Sequence, residues 1–392
     1  MNSQIINPCL LNLDQTIFRK KFNSLNSQQK KLILNKEKVI NDSKFTIKIL
    51  DYISLSKILS PFSVVILHTN SAFWSFNIIN YKKYWISSNI IESVFYFPVP
   101  FFVLCIGATL LDFNERYGLK EYYCKRITKV ILPLIYWNML LYFFRVYIIR
   151  NMDKGKMSFL YLWNVYYGHQ IYLIFGSFHG FLLLYMIIPL LAYVEKSQKI
   201  KIYSYCFITL MITQVLIPYL ISLFQPNLIW VYNIKVGDII YVFAGYIIHN
   251  YSFKKELKLI IHFLGIAGLL IHIFGTQILT IRYKKIIHLH KGYLNLPCLM
   301  YSCSLFLFIK EHSYLLFKIV NRKIINKIGS LTIGPFFMHV PIMQVYNKIF
   351  TINTFGLTYR LFGGVFICVI CVICLLITNL LKKIPFIKCL VP

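Results

Sequence analysis

Leu361–Leu381 reads LFGGVFICVICVICLLITNLL, a run without one Asp, Glu, Lys or Arg. A helix that crosses a bilayer needs about 20 mostly apolar residues, and this run supplies them. Working outward from it, nine more stretches of the same kind are found: Ile58–Asn77, Ile90–Leu111, Ile127–Ile149, Phe178–Val194, Ile202–Phe224, Tyr232–His249, Leu257–Gln277, Leu294–Ile309 and Ile328–Phe350. The fourth, sixth and eighth are short for the task. Together they predict an all-α polytopic membrane protein of about ten transmembrane helices. The run also contains Cys368-x-x-Cys371-x-x-Cys374, which superficially resembles a cluster-binding spacing. No Pro-terminated fourth ligand follows, and cysteine is a common small apolar filler, so no metal is assigned.

Composition agrees with a lipid solvent. Of 392 residues, 58% are hydrophobic and 14% charged, with a mean hydropathy of +0.62. Soluble domains average roughly 45–50% apolar and about 25% charged, and disorder requires low hydrophobicity. The ten cysteines lie scattered, with no secreted disulfide pattern. Residues 1–52 are rich in Lys, Asn, Gln and Ser, which excludes a cleavable signal peptide and predicts a polar cytosolic extension. A membrane domain over 53–383 and a short tail over 384–392 complete the organisation, without an internal repeat.

The net charge of +29 comes from 42 Lys and Arg against 13 Asp and Glu. With the N-terminus placed in the cytosol, 29 of the 42 basic residues fall on the cytosolic side. The positive-inside bias therefore predicts both termini in the cytosol, in a multi-pass protein of the inner (plasma) membrane. The lysines are divided among short loops and form no aromatic-interleaved patch, so nucleic acid is not an expected partner.

Polar groups held in lipid are costly and mark chemistry. His68 lies eleven residues beyond Lys57, roughly 16 Å along a helix, which is about halfway through a core of about 30 Å. His339 lies eleven residues past Ile328 in a span entering from the same side, so the two imidazoles are predicted at matching depth. His179 opens the fourth span near the opposite face. Imidazole removes a hydroxyl proton near neutral pH, which makes it the usual general base. A lone histidine would more simply bridge two helices, whereas two at one depth point to a shared polar cavity. Lys125, Arg126 and Lys129 crowd the mouth of the third span. They are either a topogenic charge group or a phosphate clamp for an anionic cosubstrate. Glu92 and Asp238 lie near exterior ends, where either could orient a histidine or pair with Arg145. The chain has no P-loop and no G-x-S-x-G elbow. His288-x-His290 is too weak a spacing to assign a metal.

These features resemble the acyltransferase-3 family of integral membrane acyltransferases, which includes O-acetyltransferases of bacterial surface glycans. The resemblance runs from about Ile53 to Leu381. Ser56-Lys57-Ile58-Leu59 leading to Val64-Val65-Ile66-Leu67-His68-Thr69 fits the family's basic residue, ten-residue gap and histidine. Pro98-Val99-Pro100-Phe101-Phe102-Val103 with Ile106-Gly107-Ala108 is similar to its apolar second-span run. Tyr122-Tyr123-Cys124-Lys125-Arg126-Ile127, Leu132-Pro133 and Trp137-Asn138 match its basic third-span start. Phe178-His179-Gly180-Phe181-Leu182-Leu183-Leu184-Tyr185 and Phe336-Phe337-Met338-His339-Val340-Pro341 resemble its two later histidine segments. The family often has Arg-x-x-x-Arg where this chain has Lys125 and Lys129 around Arg126, and lysine lacks the bidentate fork of arginine.

The resemblance implies transfer of an acyl group, acetyl above all, from cytosolic acyl-CoA (acetyl-CoA) to a hydroxyl of a cell-surface or lipid-linked glycan. Acyl-CoA would be a cosubstrate, with no permanently bound cofactor; the glycan or lipid-linked saccharide acceptor and membrane lipid would be the other partners. It makes Lys57, Lys125, Arg126 and Lys129 the donor-binding residues and His68, His339 and His179 the catalytic group. An oligosaccharide repeat-unit polymerase and a polytopic glycan transporter are the rival readings. The first should carry a large exterior loop with paired arginines, and the second often shows internal symmetry.

Overall fold

The structure, a computed structural model, describes residues 51–79, 81–149, 177–224, 238–349, 357–385, 387 and 391. Residues 1–50, and with them the expected N-terminal extension, lie outside the described residues. Tyr52–Pro392 form one compact unit. Among the described residues the chain is helical, without a strand. The helices are α1 (Asp51–Thr69), α2 (Tyr81–Val94), α3 (Pro98–Leu110), α4 (Leu119–Ile148), α5 (Ser177–Ala192) and α6 (Lys196–Phe224). They continue with α7 (Ile239–Asn250), α8 (Lys255–Tyr283), α9 (Leu296–Ile319), α10 (Arg322–Leu331), α11 (Ile333–Ile349) and α12 (Leu357–Leu381).

By length and composition five helical stretches can cross a membrane, among them α1, α4, α6, α8 and the joined run Tyr84–Glu115. A sixth is made if α10 and α11, bent by 62°, count as one. Gly180–Ala192, Ile239–Asn250 and Phe366–Leu381 are shorter apolar helices. A backbone in hydrocarbon must satisfy its own hydrogen bonds, which is why helices dominate. On α6 and α8 apolar side chains such as Ile202, Leu220, Phe263, Ile266, Phe274 and Ile278 face outward, as a lipid solvent permits.

Two of the runs expected as single helices are interrupted, the second while keeping the single course Tyr84–Glu115 and the ninth with a bend of 62°. The second is divided between α2 and α3, where Pro98 and Pro100 enter the first turn of α3; proline is accepted there because a first-turn N–H has no helical partner. The run Ile328–Phe350 is divided at Thr332, whose hydroxyl donates to the Gly329 carbonyl at 2.9 Å, and Pro335 follows within the first turn of α11. π-turns occupy Ile127–Ile131 and Phe144–Ile149 at α4, Met211–Leu216 in α6 and Ile271–Gly275 in α8. Such turns insert a residue and rotate the side chains beyond them.

Two apolar cores flank α1. The first gathers Tyr52 and Ile53 of α1 with α3, α5, α7 and α9. The second gathers Val64 and Val65 with Leu134, Trp137 and Leu141 of α4, Phe336–Met338 of α11, and Ile370, Cys371 and Cys374 of α12. Cys371 and Cys374 are buried, and Cys368 is exposed. In the first core α3 and α7 cross backbone to backbone. A Cβ at Gly107 would stand 2.0 Å from the Val242 carbonyl oxygen, and one at Gly245 would stand 2.1 Å from that of Leu104. Each glycine thus faces the carbonyl three residues before the other, and any larger side chain would part the helices.

Candidate functional site

A cavity of about 430 Å³ opens between the two cores. Lys57 and Pro61 of α1, Phe102, Cys105, Ile106 and Thr109 of α3, and Phe181 and Tyr185 of α5 line one part of it. Arg126 and Lys129 of α4, Ser330 and Thr332 at the α10–α11 break, Phe336 and Phe337 of α11, and Lys382 after α12 line the rest. Four cations therefore share one cavity, and among the described residues its lining holds no carboxylate. Arg126 is set by aromatic neighbours: its Cζ lies 5.6 Å from the Tyr122 ring centre and 5.5 Å from that of Tyr185. Its Nε is buried without a hydrogen-bond partner. Lys382 donates to the Ser330 carbonyl at 2.6 Å. Burial, and after it the neighbouring Lys129, hold the Lys382 ammonium below the ordinary lysine range. Such a cluster is unfavourable when empty and favourable around a polyanion.

At its inner end the cavity is apolar. Phe102 meets Phe336 edge-on at 5.5 Å and Phe181 at 6.5 Å. Phe337 stacks on Trp137 at 5.7 Å with only 4° between planes. Two residues past Phe337 on α11, and seven past Pro61 on α1, stand the paired histidines. The ring centres of His68 and His339 are 5.1 Å apart. His339 is fully buried, and its Nδ1–H donates to the Pro335 carbonyl at 2.7 Å. That bond assigns the tautomer: Nε2 is left as a lone-pair acceptor, buried and unpartnered. His68 is exposed.

Beyond His68, the end of α1 is tied to α2. Asn70 donates its amide to the Ser88 carbonyl and to Glu92 Oε2, both at 2.9 Å. The Asn70 backbone N–H closes the last turn on Ile66 at 3.0 Å. Glu92 is buried at 2% exposure and Lys291 at 6%. Lys291 donates to Ser93 Oγ at 2.8 Å and lies 4.8 Å from the Phe73 ring centre. Burial pushes the Lys291 ammonium down, and the Glu92 carboxylate partly opposes this.

The expected site residues separate into those brought together and those not. His68 meets His339, although the α10–α11 break means that a straight count from Ile328 does not give the depth of His339. Lys57, Arg126 and Lys129 share the cavity. Lys125 is not among its lining residues; it pairs with Glu121 at 2.7 Å and covers the Tyr117 ring at 3.7 Å. The π-turn that begins at Ile127 explains the separation, because Lys125 and Lys129 no longer stand one α-turn apart. His179 lies in the first turn of α5, and its side chain is outside the described residues. Asp238 approaches that turn, since a Cβ at Gly180 would be 3.2 Å from Asp238 Oδ2. Glu92, read as a possible partner for Arg145 or a histidine, bonds Asn70 instead.

Lys382, Tyr185 and the Asn70–Glu92 bond were not expected as site features. Lys382 follows the last apolar run and enters the sequence reading only as one of the cytosolic-side basic residues; the fold carries it to Lys129 of α4. Lys199 is likewise a buried cation, spent on the Leu111 carbonyl and Asp112 Oδ1 at 2.7 Å each.

A family model described as an acyltransferase domain matches residues 50–378. Neither a curated protein nor a solved structure matches the chain.

Proposed function

Because the chain belongs to the acyltransferase-3 family of membrane acyltransferases, we propose that it moves an acetyl group from cytosolic acetyl-CoA to a hydroxyl of a cell-surface or lipid-linked glycan. One observation carries this reading. A single helix, α1, places Lys57 in a cavity of four cations and His68 against His339. The diphosphate and 3′-phosphate of the donor match the four cations, and its uncharged thioester arm suits the aromatic inner end. In this reading ten helices cross the inner membrane, both termini are cytosolic and the cavity opens to the cytosol.

His68 then takes the proton of the acceptor hydroxyl. His339 Nε2, free to accept, receives the other N–H of His68 and steadies the imidazolium as it forms. The alkoxide oxygen attacks the thioester carbonyl, and the tetrahedral intermediate expels the thiolate. That thiolate takes the proton back from His68, so ester and thiol leave with nothing unbalanced. Full burial of His339 keeps hydrolytic water from its side of the pair.

His68→Ala tests the reading. Proton NMR of purified surface polysaccharide should lose its O-acetyl methyl signal while the protein remains at normal abundance. A retained signal would sink the assignment.

A further inference from the structure

The end of α1 away from the cavity carries a second built feature. After Thr69 the chain makes a 3₁₀ turn, Ser71–Trp74, which leaves Trp74 57% exposed. The turn is held from beneath. Trp85 donates its indole N–H to the Phe73 carbonyl at 2.8 Å, and Tyr84 donates its hydroxyl to the Ser75 carbonyl at 2.5 Å. Phe73 itself stacks on Trp85 at 5.8 Å, and Asn70 anchors the turn to α2.

One face of the Trp74 indole rests on His288, with ring centres 5.6 Å apart and 28° between planes. His288 is held as firmly. Its carbonyl accepts from the Lys291 N–H at 2.9 Å, Asn295 donates to the Leu289 carbonyl at 2.7 Å, and His290 Nδ1 meets the Tyr219 hydroxyl at 2.8 Å. Burial, and then Lys291, lower the pKa of His288, so its ring is neutral at neutral pH.

We propose that Trp74, backed by His288, is the platform on which a pyranose ring of the saccharide acceptor stacks on its way to His68. The inference rests on the saccharide acceptor proposed above. A pyranose presents a face of C–H groups rimmed by hydroxyls, and the electron-rich face of an indole attracts such a face. Trp74 stands six residues past His68, at the end of α1 opposite the cations. Donor and acceptor would then approach the histidine pair from opposite ends of one helix. A tryptophan that only anchors the chain at a lipid interface needs no fixed histidine behind it.

The test uses the full-length enzyme in lipid nanodiscs, with acetyl-CoA and oligosaccharides cut from the host's own surface polysaccharide. Release of the CoA thiol gives the rate. Trp74→Ala should raise KM for the oligosaccharide by about 3- to 10-fold, the worth of one aromatic stacking contact. KM for acetyl-CoA and kcat should stay within about 2-fold, and Trp74→Phe should restore most of the loss. Should Trp74→Ala fail to fold, His288→Ala is expected to raise the same KM. Oligosaccharide should also quench tryptophan fluorescence in His68→Ala, and less so in His68→Ala with Trp74→Phe. If the unmodified enzyme acetylates the oligosaccharide and neither Trp74→Ala nor His288→Ala changes its KM, the platform falls alone. If oligosaccharide never stimulates thiol release, the saccharide acceptor falls and takes the platform with it.

Discussion

Replacing Arg126 and Lys125 separately by Met distinguishes a phosphate-binding cavity from a merely basic helix end. The residues are adjacent in the chain, yet Arg126 lines the cavity while Lys125 is paired with Glu121 at 2.7 Å. The Arg126 Nε is buried and unpartnered, and Tyr122 and Tyr185 already hold its guanidinium. Little side-chain entropy is therefore lost when an anion arrives. A hydrogen bond to a charged group contributes about 1.5–3 kcal/mol. At 1.4 kcal/mol per decade, Arg126→Met should weaken acetyl-CoA binding by about 10- to 150-fold. Arg126→Lys should fall between the two, keeping charge but losing the fork. Lys125→Met removes only a half-exposed i,i+4 pair of about 0.3–0.5 kcal/mol, so affinity should stay within about 2-fold. Titration calorimetry with acetyl-CoA on the detergent-solubilised protein measures all three, and added salt should narrow the differences. Equal losses in Lys125→Met and Arg126→Met, or no loss in Arg126→Met, would refute the reasoning.

If the cavity holds the proposed acyl-CoA donor, Lys382 should make its binding depend on pH. Its pKa is lowered in the empty cavity by burial and Lys129, and a bound phosphate raises it. Binding should therefore take up protons at alkaline pH, and affinity should fall as pH rises from the lowered value to the raised one. Calorimetry in buffers of different ionisation enthalpy reads this uptake, which Lys382→Met should abolish. Glu92→Ala removes one of the two acceptors of the buried Asn70 amide and the carboxylate that favours the Lys291 ammonium; a buried donor left unsatisfied costs about 1–3 kcal/mol. Turnover and thermal stability should both drop, and Lys291→Met added to Glu92→Ala should recover part of the stability. Gly334→Ala would set a Cβ 1.6 Å from Thr378 Oγ1 and 2.7 Å from Thr378 Cβ. Overpacking of this kind costs about 1–3 kcal/mol. Thr378→Gly should relieve it in a double-mutant cycle followed by thermal unfolding; additive losses would show that α11 and α12 do not meet there.

The helices were legible because lipid demands long apolar runs, and LFGGVFICVICVICLLITNLL can hardly be anything else. His68 and His339 do meet, but only the count from Lys57 to His68 runs along an unbroken helix; between Ile328 and His339 the chain bends by 62°, so helical rise alone did not give the matching depth. What escaped had one of two causes. Local irregularity misled the count at Lys125–Lys129, where a π-turn separates residues that an α-helix would align. Breaks around Pro98 and Pro335 are marked by proline, but their angle is not. The other cause is long range. The hydrogen bonds Lys382–Ser330, Asn70–Glu92 and Lys199–Asp112 span 52, 22 and 87 residues. Nothing local to either partner announces them. Lysine after an apolar run looks the same whether it meets phosphate or solvent.

The crossing of α3 and α7 carries one more consequence. Where Gly107 meets the Val242 carbonyl and Gly245 meets that of Leu104, the spacing is set by main chain alone. Main chain is the same whatever the neighbouring side chains are. Leu, Ile, Val or Phe can be exchanged elsewhere in the first core while α3 keeps its place, and with it Phe102, Cys105 and Thr109 on the cavity wall. The joint therefore works as a fixed datum from which one side of the cavity is measured. The volume available to a donor should tolerate apolar drift throughout that core, and should be intolerant of one added methyl at either glycine.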